Sequence, residues 1–158
     1  MIEQPSANRP RPARAADLPA IVALIDAAYR HYVPIIGRRP RPMDDDQAAR
    51  LARGELFVID DGDALAAVMT AAVQPESLHI FNLAVHPGAQ GRGLLRSMLD
   101  LAEALARRAG KPKLTLYTNV AMTRNRQIYA HLGFVELGEH DAPGGYRIVF
   151  MERPLALP

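Results

Sequence analysis

The 158-residue chain has no cysteine and no tryptophan, and only Lys111 and Lys113 among its 19 basic residues are lysine. Without cysteine there is no disulfide, no thiolate metal site and no sulfur nucleophile. Long apolar runs are also missing. The longest, Ala20–Ile25 and Ala64–Met69, fall far short of the ~18 residues that a membrane-crossing helix needs. Met1–Pro12 carries no apolar segment of the signal-peptide kind, so a cytoplasmic protein without membrane contact is expected. Aromatic residues make up 6%, and none interrupts the arginine clusters Arg9, Arg11, Arg14 and Arg38, Arg39, Arg41. A nucleic-acid face usually interleaves the two types. These clusters therefore read as solvated loop surface, and nucleic acid is not an expected partner. What is present, 49% hydrophobic and 23% charged residues, is the composition of one globular domain.

Punctuation by proline and glycine divides the chain into a lead-in over residues 1–10 and a single domain over 11–155. A short extended segment near Arg11–Arg14 precedes a helix. Asp17 is placed to cap it, its apolar stripe runs through Leu18, Ile21, Val22, Ile25, Ala28, Tyr29 and Tyr32, and Pro34 ends it. A proline-stiffened loop Arg38–Met43 follows. Asp44–Asp46 then open a short helix to about Arg53. Strands are expected at Leu56–Asp60 and Ala64–Val73, joined by a turn at Asp61-Gly62, and at Leu78–Val85. A helix from about Gly91 to Ala109 leads to strand Lys113–Tyr117, helix Met122–Leu132 and a last hairpin, Phe134–Glu139 with Tyr146–Glu152, closed by Pro143-Gly144-Gly145. Hairpins first and helical connections later imply a mixed α/β fold.

The most informative stretch runs from Val85 through the turn to Gly91-Arg92-Gly93-Leu94-Leu95. Backbone N–H groups between Gln90 and Leu95 lack partners at a helix start, the glycines remove side chains, and Arg92 adds positive charge. A phosphate group suits that arrangement. A glycine-bearing loop that merely turns a strand into a helix suits it too. No Gly-Lys-Ser/Thr is present for a P-loop, and Arg96 stands where a dinucleotide fingerprint would place its third glycine.

These residues resemble the GNAT-type N-acetyltransferases, whose signature is Gln/Arg-x-x-Gly-x-Gly/Ala after a strand. The chain reads Gln90-Gly91-Arg92-Gly93-Leu94-Leu95, preceded by the similar Leu83-Ala84-Val85-His86-Pro87, and departs from the signature at Leu95. Asn125, Tyr129, Gly133 and Phe134 match a second family segment. The resemblance implies a central mixed, mostly antiparallel sheet of six to seven strands flanked by about four helices. It implies acetyl-CoA as co-substrate, with the pyrophosphate on the Gln90, Gly91, Arg92, Gly93, Leu94 and Leu95 turn and the pantetheine arm along Leu83 and Val85. Asn125 would reach that arm. Tyr129 would donate to the departing thiolate, a role that a phenol with reference pKa ~10 can fill at neutral pH. Direct attack by a primary amine of a small molecule or peptide needs no covalent enzyme intermediate, which fits the absence of a nucleophile motif.

The same resemblance places the acceptor near Tyr29, Tyr32 and the Arg38–Met43 loop, Met43 included. His79 and Glu76 are candidates for the base that takes the amine's proton, with water as the alternative, and the Asp44–Asp46 run has the charge to attract a cationic amine. The other histidines lack ligand spacing, so no metal is expected. A homodimer is a further expectation. The competing functional reading is a catalytically silent acyl-CoA-binding regulatory module.

Overall fold

The computed structural model describes residues 8–156, so most of the lead-in lies outside the described residues. Seven strands form one sheet: β1 (Arg11–Pro12), β2 (Leu56–Asp61), β3 (Ala64–Val73), β4 (Leu78–Val85), β5 (Lys113–Asn119), β6 (Val135–Ala142) and β7 (Tyr146–Pro154). They stand in the order β1-β2-β3-β4-β5-β7-β6. Every neighbouring pair is antiparallel except β4 with β5. The helices are α1 (Leu18–Tyr29), the single turn α2 (Val33–Ile36), α3 (Gln47–Ala52), α4 (Leu94–Arg108) and α5 (Thr123–His131). The mixed, mostly antiparallel architecture expected from the sequence is the one observed.

Two apolar clusters cover the two faces of the sheet. On one, α1 sets Ile21, Leu24 and Ile25 against Val58 and Val68. On the other, α4 sets Leu94, Met98, Leu99 and Ala102 against Met69, Ile80 and Leu116. Burying each large aliphatic side chain contributes roughly 1.5–3 kcal/mol, so central strands β3 and β4, apolar on both faces, anchor the fold. Val22, placed by helical spacing in the apolar stripe of α1, is instead 54% exposed; the buried arc of the helix runs through Leu24.

Three local expectations are corrected. Asp17 does not cap α1 with its side chain. Its carboxylate accepts from the Arg14 N–H at 2.7 Å and pairs with Arg11 at 2.9 Å. Arg11 also pairs with Asp60 at 2.7 Å, so one guanidinium ties β1 to the end of β2 and to the entry of α1, and it holds both carboxyls below their ordinary pKa. Pro34 does not end the helical segment. A 3₁₀ turn over Arg30–Tyr32 carries the chain from α1 into α2, where Pro34 occupies the first turn, a position at which its missing N–H costs nothing. Helix α4 begins at Leu94, not near Gly91. Gly91 and Gly93 hold φ of +82° and +73°, conformations open to glycine at little cost, and they keep the turn out of the helix. Asp46 behaves as read, its carboxylate accepting from the Ala49 N–H at the start of α3.

Candidate active site

The site begins with a fault in the sheet. Between β3 and β4 the register runs Thr70↔Asn82 and then Ala71↔Ile80, leaving Phe81 as a bulge on β4. A bulge bends its strand and re-aims the residues beyond it. The parallel ladder between β4 and β5 ends at Ile80↔Leu116, although β4 continues beside β3 to Val85 and β5 continues beside β7 to Asn119. The two central strands therefore diverge, and the edge of β4 beyond Ile80 has no strand beside it.

A cavity of about 410 Å³ fills the opening. Its deep part is built by Tyr29, Asn82, Leu83, Asn125 and Tyr129. The Tyr29 hydroxyl donates to Asn82 Oδ1 at 2.6 Å, and Tyr32 donates to Asn125 Oδ1 at 3.2 Å. The Nδ2 of Asn125 lies 3.6 Å from Met122 Sδ. By contrast the Nδ2 of Asn82, in a residue 5% exposed, has no partner. The Tyr129 ring is held edge-on to Phe134, while its hydroxyl makes no hydrogen bond to any described residue. Burial raises the pKa of both Tyr29 and Tyr129 well above the ordinary phenol value, so both are proton donors at neutral pH.

The mouth is polar and comes from two distant segments. Arg41, Asp44, Asp45 and Arg50 enter from the loop and helix after α2, and Tyr117 and Tyr146 enter from β5 and β7. A clasp joins these segments: the Tyr146 hydroxyl donates to Arg39 O at 2.8 Å, and Arg38 donates to Gly144 O.

A second concavity of about 460 Å³ lies between α4 and α5, lined by Gly93, Leu95, Arg96, Arg124, Ile128 and Leu132 among others. Helix α5 thus serves both sites, with Asn125 and Tyr129 on the cavity face and Arg124 and Ile128 on the groove face, as 3.6-residue periodicity requires. Beside the groove the turn leaves its donors open. The N–H groups from Gln90 to Arg96 donate to no described acceptor, and the first bond of the helix runs from Ser97 N–H to Gly93 O at 3.1 Å. A Cβ built on Gly91 or Gly93 would meet nothing within 4 Å, so the glycines leave space for a ligand. Arg92 leans away, 3.3 Å from Asp61. Leu95 forms part of the apolar wall of the groove and packs on the α4 core, leaving the backbone donors unobstructed by the departure from the signature.

Of the residues singled out from the sequence, the structure brings Tyr29, Leu83, Asn125 and Tyr129 together in the cavity and sets Gly93 and Leu95 at the groove. Tyr32 touches the cavity only through Asn125. Val85 pairs with Ala67 of β3 and lies on the stretch of β4 whose other edge is free of β5. Met43 packs with the α1 cluster, and His79 is buried at the paired end of β4, where its Nδ1 meets Thr115 Oγ1 at 2.9 Å. Burial and the nearby Arg50 charge lower that imidazole to about 4. Sequence reading missed Asn82, Tyr117, Tyr146, Arg96 and Arg124, whose roles depend on strand pairing and helix facing. The unpaired Asn82 has no signal in the sequence at all.

This arrangement has known counterparts. Residues 19–134 match the acetyltransferase (GNAT) family. The chain belongs to that family. The family is one of acetyltransferases. It is 41% identical over 86 residues to the mycothiol acetyltransferase of Beutenbergia cavernae, a segment that covers 53% of this chain and 29% of that protein. The chain thus matches less than a third of that relative's length. Its fold is similar to the PaiA N-acetyltransferase of Thermoplasma acidophilum in complex with coenzyme A, with TM-score 0.76 at 13% identity over 93% of this chain and 98% of that one. It is also similar to a GCN5-related N-acetyltransferase of Rhodopseudomonas palustris, with TM-score 0.75 at 21% identity over 95% and 97%. The silent-module alternative finds no support in these matches. No helix among the described residues is long and apolar enough to cross a membrane, and no three His, Asp or Glu among them converge as metal ligands would.

Proposed function

We propose that this GNAT enzyme is cytoplasmic and acetylates a primary amine directly, with the groove between α4 and α5 holding the nucleotide end of acetyl-CoA and the β4–β5 cavity holding the reacting groups. The observation that carries the assignment is the pairing of an open donor turn with an unpartnered buried phenol at the divergence of β4 and β5. When bound, acetyl-CoA supplies a thioester whose carbonyl carbon the amine attacks.

The chain's own residues do the rest. The N–H groups of Gln90–Leu95 bind the pyrophosphate, with Arg96 and Arg124 adding positive charge beside it. The free edge of β4 at Leu83 and Val85 orients the pantetheine arm by strand-like pairing. Asn125, fixed by Tyr32, positions that arm, and the Tyr129 hydroxyl delivers a proton to the leaving sulfur. His79 is too deeply engaged with Thr115 to serve as base, and the cavity carboxylates Asp44 and Asp45 are paired with Arg39 and Arg50. Glu76 is exposed in the β3–β4 turn and does not line the cavity, so the amine loses its proton to water.

Calorimetric titration with acetyl-CoA, followed by thiol release against a panel of amines, tests the reading. Saturable binding with amine-dependent release supports it. Absence of saturable binding ends it.

A further inference from the structure

The walls of the cavity mouth carry four charged side chains, Arg41, Asp44, Asp45 and Arg50. Three are neutralised within the protein: Asp44 by Arg39 at 2.8 Å, and Asp45 and Arg50 by one another at 3.0 Å. Asp46, the third carboxylate of the run, caps α3. Asp44 and Asp45 are thus occupied by the protein's own arginines, and Asp46 does not line the cavity.

Arg41 is different. Its guanidinium makes no ion pair with any described residue. It lies 6.0 Å from the centre of the Tyr117 ring and 5.8 Å from that of Tyr146. A guanidinium resting on ring faces keeps its in-plane N–H donors free, and that fork matches a carboxylate. Pro40 and Pro42 flank it and restrict the backbone that presents it, while the Tyr146–Arg39 and Arg38–Gly144 contacts hold the opposing ring in place. Of the four charged side chains that line the cavity, Arg41 alone therefore has no ionic partner among the described residues, and its support is stiffened.

We infer that the acceptor is a small amine bearing a carboxylate, of the amino-acid type, with its amine directed toward Tyr129 and its carboxylate held by Arg41. This rests on the acetyl-transfer reading above and adds the substrate class to it. A cavity of about 410 Å³ is within the range of small-molecule sites.

The test compares each of a panel of α-amino acids with its carboxamide, in wild type and in Arg41→Gln, by thiol release. The carboxamide has the less basic, more readily deprotonated amine, so intrinsic reactivity works against the expected preference and cancels when the two proteins are compared. The wild type is expected to favour at least one carboxylate by about 10- to 100-fold in kcat/KM, the range for a charge-assisted hydrogen-bonded contact. The difference should lie chiefly in KM, and Arg41→Gln should bring the ratio to one or below. A wild-type ratio at or below one for the whole panel overturns the inference, and so does a preference that survives in Arg41→Gln. Direct titration of the same ligand pairs into both proteins decides the matter without turnover. Failure of acetyl-CoA to bind would count against the acetyl-transfer reading, whereas normal acetyl-CoA binding with equal affinity for carboxylate and carboxamide would count against Arg41 alone.

Discussion

The two ends of the β4–β5 pair are built from similar residues and behave oppositely. At the paired end, Ser77, His79 and Thr115 are polar and buried, and they satisfy one another: Ser77 Oγ and Thr115 Oγ1 lie 2.8 Å apart, and His79 Nδ1 completes the chain at 2.9 Å. At the diverging end, Asn82 Nδ2 is buried without a partner, and the hydroxyl of Tyr129, a residue that lines the cavity, bonds to no described residue. A buried polar group left unmatched costs about 1–3 kcal/mol. The fold bears that cost at one end of a strand and avoids it at the other. The closed end fixes the strands in register; the open end holds groups in readiness for a ligand.

If this division is right, substitutions at the two ends should separate stability from turnover. The largest effect belongs to the open end: Tyr129→Phe should lower kcat about 100-fold while urea unfolding shifts little, because the lost hydroxyl had no partner. A rate within threefold of wild type would remove Tyr129 from the mechanism. At the paired end, Thr115→Val strands both Ser77 and His79 and should cost about 2 kcal/mol in unfolding free energy, with kcat near wild type under saturation. A large fall in kcat without loss of stability would erase the distinction.

The same end predicts a pH dependence. His79 has a folded-state pKa of about 4 against 6.5 unfolded, so below 6.5 the unfolded chain binds the proton first and stability falls as pH falls toward 4. Between pH 7 and pH 5 the loss should be about 2 kcal/mol, and His79→Leu should flatten that part of the profile in urea titrations at the two pH values. The smallest change is expected of Asn82→Ala, about 1 kcal/mol. It frees the Tyr29 hydroxyl from its acceptor and at the same time removes an amide that was already unmatched. A stability loss as large as that of Thr115→Val would mean that Asn82 belongs to the closed network after all.

The contrast also marks what the sequence can and cannot disclose. Glycine and proline punctuation locates most elements to within a few residues, since Gly62, Gly110, Gly133 and Gly144 act through local backbone conformation. The Gln90–Leu95 turn is legible for the same reason: its chemistry lies in consecutive residues. The bulge at Phe81 is not, because it exists only relative to β3. Without it, His79 and Asn82 read as members of one strand leading to one site, whereas the register places them at opposite ends of the opening. Tyr29 and Asn82 meet across 53 residues, and no spacing rule connects them. Arg41 reads as one of three loop arginines until Tyr117 and Tyr146 are seen around it.

The clasp between the two loops has a consequence for how the molecule is made. Tyr146 reaches Arg39 across 107 residues, and β7 takes its place between β5 and β6, so a strand made after both of its neighbours is inserted between them. The segment shared with the family ends at residue 134, before this hairpin begins. On the ribosome, where chains emerge from the N-terminus onward and non-local pairing comes late, the glycine turn is complete while β5 is still a bare edge and the cavity has no Tyr146 wall. Completion of the cavity mouth therefore waits for β7. A chain cut before β7 keeps the Gln90–Leu95 turn and lacks the Tyr146 wall of the cavity.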